Sequence, residues 1–385
     1  MSIALAVTGG CNNEPADTQP TSAASVSYQP EETDAQPDKS GIDAHVYIEG
    51  TKFMVGGKEI WFSGVNTPWI RWNDFCGQMD DTRWEQTFAE LAEDHINCTR
   101  IWVNCNGTDI VELDPLGYPE SVNPAHWTDL EKLFALAEKY KVYVMPTLLS
   151  FDHFKGLRWQ ELLADKELCD RYADTYVAEF CERFGGCDYI MGIDIMNEPD
   201  WVNENDECGK MSWDNISYLL GKCADVIHSK CDKPVTVGTA MIKYNSERVM
   251  GNKVSDEYLK ELTGLDGAYL DFYSMHYYNW QKPYWGFPCS VTPEEYGLET
   301  DRPCMIGETS NDDLKETRMT LTEKYMSMYE KGWNGLLVWM EPRTNEEMLW
   351  SGYDLTREAT NAMYEYAPEK IDPLGVWGTE QAEAA

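Results

Sequence analysis

Two glutamates stand where apolar runs end: Glu198 in "DIMNEPDW" (194–201) and Glu308 in "MIGETS" (305–310). A charge at the tip of an apolar strand adds nothing to its burial, so another use is implied. A carboxyl kept protonated and a second kept ionised are the equipment for cleaving a glycosidic bond. The first protonates the leaving oxygen, and the second attacks the anomeric carbon or activates water. One such glutamate is explained equally well as a helix-terminal acid favoured by the dipole. Two of them, with Asn197 beside one and aromatic residues near the other, fit a site better. No Ser or Cys nucleophile motif competes with this reading. The six histidines include no HxH pair and no Cys/His cluster has zinc-like spacing, so no metal and no cofactor are expected.

The elements that would carry these residues repeat one theme, a short apolar strand followed by an amphipathic helix. Strands are predicted at 60–65, 98–103, 142–147, 190–196, 234–238, 271–275, 303–307 and 335–340. Helices are clearest at 81–95, 126–140, 166–184, 211–230 and 313–331, with Asp80 or Asp81 capping the first. Eight such units imply a parallel sheet closed on itself, a (β/α)8 TIM barrel of the α/β class. An open doubly wound sheet is the alternative, but no GxGxxG follows the first strand. Before the barrel, "HVYIEGTKFMVGGKEIWFSGVN" (45–66) reads as a β-hairpin turning at Gly50 and at Gly56-Gly57. In a barrel, catalytic groups collect where strands end. Those positions hold Asn66, Arg100, His153, Asn197, Glu198, His276, Tyr278, Glu308 and Trp339. Strands four and seven face each other, so the two glutamates can approach the roughly 5–5.5 Å of a retaining mechanism.

Composition narrows the partners. The 385 residues carry a formal net charge of −36, which argues against nucleic acid and polyanionic substrates and favours a neutral polysaccharide. Fifteen Trp and twenty-two Tyr exceed what core packing needs and suggest a surface that stacks flat ligands. Trp69, Trp72, Trp102, Trp201, Trp280 and Trp285 fall in loops or strand ends on the catalytic face, as an extended cleft requires. Among twelve cysteines, Cys98/Cys105, Cys181/Cys187 and Cys223/Cys231 are close enough in sequence to bridge, with scattered thiols the alternative. No stretch reaches the ~20 apolar residues of a membrane span. The start, "MSIALAVTGGC" (1–11), resembles the end of a bacterial lipoprotein signal, with Cys11 the lipidated residue that attaches the chain to a membrane. A secretory remnant without an anchor is the alternative. Residues 12–44 read as a disordered linker, 45–366 as the catalytic barrel and 367–385 as a frayed acidic tail. An extracellular or cell-surface monomer is expected.

Five motifs in order, "TRIW" (99–102), "NEP" (197–199), "HYY" (276–278), "GET" (307–309) and "VWM" (338–340), make the chain resemble glycoside hydrolase family 5 across 45–366. The resemblance implies that Glu198 is the acid/base and Glu308 the nucleophile. It implies that Asn197 bonds the sugar 2-hydroxyl, that Arg100 keeps Glu308 ionised and that Tyr278 donates to it. His276 would line the cleft and Trp339 would lie under the reacting sugar. Many family members carry a His beyond strand three; His153 lies there, in a setting, "SFDHFKG", that departs from the pattern. "GVNTPWIRW" (64–72) and "RIWVNCNG" (100–107) look most like the endo-β-1,4-mannanase branch. A β-1,4-glucanase on the same machinery and a non-catalytic carbohydrate-binding surface lipoprotein are the alternatives.

Overall fold

The computed structural model describes residues 43–343 and 349–377. Eight parallel strands close into a barrel in chain order. They are β1 (Phe62–Asn66), β2 (Cys98–Trp102), β3 (Tyr143–Ser150), β4 (Ile193–Asn197), β5 (Val235–Thr239), β6 (Tyr273–Tyr277), β7 (Cys304–Ser310) and β8 (Gly335–Trp339). Every residue of β1 to β6 is buried, because side chains fill the barrel on one face and meet helices on the other. This is why the strands read as continuous apolar runs rather than alternating ones. All eight predicted strands are present.

The helices begin where the sequence supplies caps. Asp80 accepts from the Arg83 amide at the head of Asp81–Glu93, and Ser212 accepts from the Asn215 amide at the head of Trp213–Lys230. Two predicted helices are not continuous. The segment 166–184 contains a π turn at Ala173–Val177. The segment 313–331 breaks at Arg318, which adopts a left-handed φ of 60°. Thr320 then starts a new helix, Leu321–Glu330, through a capping box with Glu323.

The amino-terminal end of the barrel is plugged by a three-stranded antiparallel sheet, Val46–Glu49, Lys52–Val55 and Lys58–Ile60. Gly56 and Gly57 form its second turn with φ of 53° and 76°, values that only glycine takes at no steric cost. Its Phe53 is fully buried, with the Phe62 and Phe272 rings each 5.0 Å away, edge to face. The chain beyond 366 does not fray where it is described. Ile371 is buried, its carbonyl accepts from Asn97 at 3.0 Å, and the Lys370 carbonyl accepts from the Trp61 amide at 2.9 Å. Residues 367–377 thus belong to the barrel domain. Cys11, residues 12–42 and the end of the tail lie outside the described residues.

All eleven described cysteines are free thiols, and Cys181 faces Cys231 rather than Cys187. No helix among the described residues is long and apolar enough to cross a membrane. We expect Phe53→Ala to destabilise the domain by about 3–5 kcal/mol, read from the denaturant midpoint at unchanged slope. A loss below about 1 kcal/mol would show that the plug unfolds apart from the barrel.

Candidate active site

Arg100, at the centre of β2, is fully buried and reaches four side chains at the carboxyl end of the barrel. Its Nε and Nη2 donate to Asp194 Oδ2 at 2.9 and 2.7 Å. Its Nη1 donates to Asn66 at 3.0 Å and to Glu308 Oε2 at 3.2 Å, and Nη2 also reaches Asn197 at 2.9 Å. Asp194 is held in turn by the Thr147 hydroxyl at 3.0 Å and by the Gly238 amide at 2.8 Å. Strands β1, β2, β3, β4, β5 and β7 therefore converge on one buried ion pair.

Glu198 follows β4 with a left-handed φ of 50°, a conformation that costs a non-glycine residue about 1–2 kcal/mol. Its amide donates to the Gly238 carbonyl at 2.6 Å, which holds the strained residue in place. Its carboxyl meets the Trp201 indole N–H at 2.9 Å and His276 Nδ1 at 3.0 Å. Burial raises its pKa to about 7, against the Trp201 hydrogen bond and the Arg100 charge, while Asp152 adds to the rise. Glu308, on β7, accepts from the Tyr278 hydroxyl at 2.5 Å. Burial pushes its carboxyl upward too; the Glu198 charge adds to this, and His276, Arg100 and Tyr278 oppose it. The expectation that Arg100 alone would hold Glu308 low therefore needs correction. Asp194 takes two of the guanidinium's bonds and leaves Glu308 a single longer one.

His276 is fully buried between the two carboxylates, 3.0 Å from one and 3.4 Å from the other. Burial lowers its pKa to about 4, so the ring is neutral near pH 7. Its partners assign the proton to Nδ1, where it faces oxygen on both sides. One oxygen of Glu198, one of Glu308 and a nitrogen of His276 lie within 4.8 Å of one another. Those three groups have the spacing of a metal site. Both oxygens of Glu308 are already engaged, however, one by Tyr278 and the other by the Arg100 cation.

Aromatic residues border this centre on two arcs. Trp69 and Trp72 follow β1, while Trp102 and Trp339 lie at the ends of β2 and β8. Trp69 lies 4.9, 5.1 and 5.7 Å from Trp72, Trp102 and Trp339 respectively. Trp102 is buried beneath the others, and Trp72 is 43% exposed. On the far arc Trp201 follows β4, and Trp280 and Trp285 follow β6. Trp280 lies 6.3 Å from Trp201 and 6.2 Å from Trp285. Asp200 and Gln281, each adjacent to one of these tryptophans, grip the amide and the carbonyl of Ala240 at 2.8 Å. His153 is not brought to the carboxylates. It is buried in the turn after β3, where its Nδ1 accepts from the Ser150 amide at 3.1 Å and its ring packs on Trp159.

Three residues went unselected at the level of sequence. Asp194 carried a signal, a carboxylate inside the apolar strand "GIDIM", which demands a buried cation. Asn66 was marked as a strand-end residue but given no role. Gly238 carried almost none. A Cβ there would stand 2.9 Å from His276 Nε2, 3.0 Å from Arg100 Nη2 and 3.1 Å from Asp194 Oδ2. We expect Gly238→Ala to lower turnover by roughly a hundredfold through displacement of this cluster, with unchanged far-UV circular dichroism. Wild-type turnover in that variant would show that the cluster can shift without harm.

A family profile described as Cellulase (glycosyl hydrolase family 5) matches residues 54–341. A mannan endo-1,4-beta-mannosidase of Mytilus edulis is 22% identical over 329 residues, 78% of this chain and 89% of that protein. A second mannan endo-1,4-beta-mannosidase, of Cryptopygus antarcticus, is 21% identical over 346 residues, 82% and 87% of the two chains. Among solved structures, a beta-1,4-mannanase of Aplysia kurodai superposes with a TM-score of 0.72 at 22% identity, covering 83% of this chain and 97% of that one. The beta-mannanase of Mytilus edulis gives 0.70 at 21%, covering 83% and 96%. At these identities the superpositions establish the fold, and the profile, which spans most of the barrel, establishes the family: the chain is a glycoside hydrolase belonging to glycosyl hydrolase family 5.

Proposed function

We propose that this hydrolase is a retaining endo-β-1,4-mannanase that cleaves mannan or glucomannan by double displacement. The observation that carries the mechanism is the pair of glutamates with oxygens within 4.8 Å. That spacing matches the roughly 5–5.5 Å of a nucleophile and an acid/base, and it leaves no room for the intervening water of inversion. Glu308 is the nucleophile. The Tyr278 hydroxyl and Arg100 stabilise its ionised form and orient it toward the anomeric carbon. Glu198, which meets only the uncharged indole and imidazole directly, is the proton donor. As the glycosidic bond breaks, its proton passes to the leaving oxygen while Glu308 forms the covalent bond to the sugar. The ionised Glu198 then takes a proton from water, whose oxygen displaces Glu308. Asn197, fixed by Arg100, is placed to bond the hydroxyl next to the reacting carbon, and the Trp339 ring is placed beneath that sugar.

The two aromatic arcs support an extended chain lying across the site, as endo cleavage needs. The printed activities of the relatives and the loops after β1 and β2 favour mannan. A β-1,4-glucanase is the second reading, favoured by the cellulase description of the family profile. A polymer of this size is met outside the cell, so export is part of the proposal.

Hydrolysis of mannan, glucomannan, carboxymethylcellulose and xylan, followed by product analysis, separates these readings. We expect short manno-oligosaccharides from the wild type and none from Glu308→Ala. Glucan products would keep the mechanism and change the substrate, while no products from any polymer would favour a binding barrel. Because Glu198 must be protonated to act, kcat/KM on a polymer should fall as pH rises through about 7. Glu198→Gln should retain release of an activated aryl leaving group, which needs no proton, and should lose that alkaline limb. Persistence of the limb in the variant would assign the acid to another residue.

A further inference from the structure

The tryptophan cluster on the β8–β1–β2 arc does not end at the cleft. Trp72, its outermost and most exposed member, also forms one wall of a groove of about 770 Å³. The opposite walls come from the strap after β2 and the turn after β3, and include Asn106, Asp109, Asp152, Lys155 and Trp159. The groove thus presents aromatic, anionic and cationic side chains together. A second feature points to a ligand. His153 contributes to this groove and is 1% exposed; its Nδ1 is taken by Ser150, and its Nε2 is buried without any partner. A buried polar atom of this kind is normally paired in a folded protein.

We infer that the groove is a distal subsite for a pyranose unit of the polysaccharide chain, on the side retained by the enzyme after cleavage. This rests on the reading of Glu198 as the proton donor. The donor must face the leaving oxygen, and Trp201, bonded to Glu198 at 2.9 Å, therefore marks the departing side. The cluster Trp339–Trp69–Trp72 lies on the other arc and marks the retained side, with the groove as its continuation. A sugar offers hydroxyls that both donate and accept, so it suits carboxylates, an ammonium and an imidazole in one wall, and its CH face suits Trp72. The acids of the groove disfavour a polyanion.

Chain-length kinetics on β-1,4-linked manno-oligosaccharides, from trimer to heptamer, test this with two blocking variants, Thr108→Trp and Leu157→Trp. Both positions are exposed in the groove wall and neither touches the carboxylates. We expect wild-type kcat/KM to gain about tenfold once the chain passes Trp72, the factor that about 1.4 kcal/mol of extra binding gives. In both variants the gain should vanish while the shortest cleaved oligomers turn over within about twofold of wild type, which also reports an intact fold. A wild type with no gain at these lengths overturns the inference, as do variants that keep the gain. A wild type that cleaves no β-linked oligosaccharide at all overturns the hydrolase reading itself, and the subsite with it.

Discussion

A guanidinium with no access to water sets the terms for everything at the mouth of this barrel. Arg100 and Asp194 are both 0% exposed and 2.7 Å apart. Buried ion pairs of this kind add little net stability over apolar packing, yet removing one partner strands the other at a cost of about 3–5 kcal/mol. The pair is therefore better understood as a positioning device. Every remaining donor of Arg100 is committed to a residue of the site, Asn66, Asn197 or Glu308. Bond directions at a planar guanidinium are rigid, so the pair dictates where those three side chains sit.

The backbone pays for this convergence in irregularity. Pairing registers slip between β4 and β5 at Thr236–Gly238, between β6 and β7 at Met275–His276, and between β7 and β8 at Ile306–Thr309. Such slips turn side chains that a regular strand would aim elsewhere. They fall beside the site, as does the left-handed backbone of Glu198. Gly238 completes the arrangement because His276, Arg100 and Asp194 already occupy the space of its missing side chain. Close packing of three polar groups is what makes the imidazole neutral and lifts the carboxyl of Glu198 toward neutrality.

Buried acids also hold the aromatic loops. Asp74 accepts from the Ile70 amide and the Trp84 indole, each at 3.0 Å, and so fixes the loop that bears Trp69 and Trp72. Asp200 does the same on the other arc through Ala240. Burial raises both carboxyls to about 7, which marks how fully these anchors are withdrawn from water. Flat rings bind a flat ligand only if their spacing is kept, and short polar tethers keep it at both ends of the cleft.

The architecture was legible in the sequence because a closed parallel sheet imposes a local signature, one buried run and one capped helix per unit. The runs at 98–103 and 335–340 show it plainly, and so does the Asp80 cap. The carboxylates were legible for a similar reason: Glu198 and Glu308 break apolar runs where a barrel exposes its strand ends. Contacts between residues far apart in the chain left no such mark. Arg100 meets Asp194 across 94 positions, and a glycine at 238 makes room for a histidine at 276. His153 was read as a cleft residue, yet its ring turned to cap the chain at Ser150. The sequence by itself determined the barrel and the two reactive groups, since burial patterns and charges at strand ends are local properties. Only the tertiary structure decided how one buried cation is shared and which rings face the substrate, because those depend on distances that barrel closure creates.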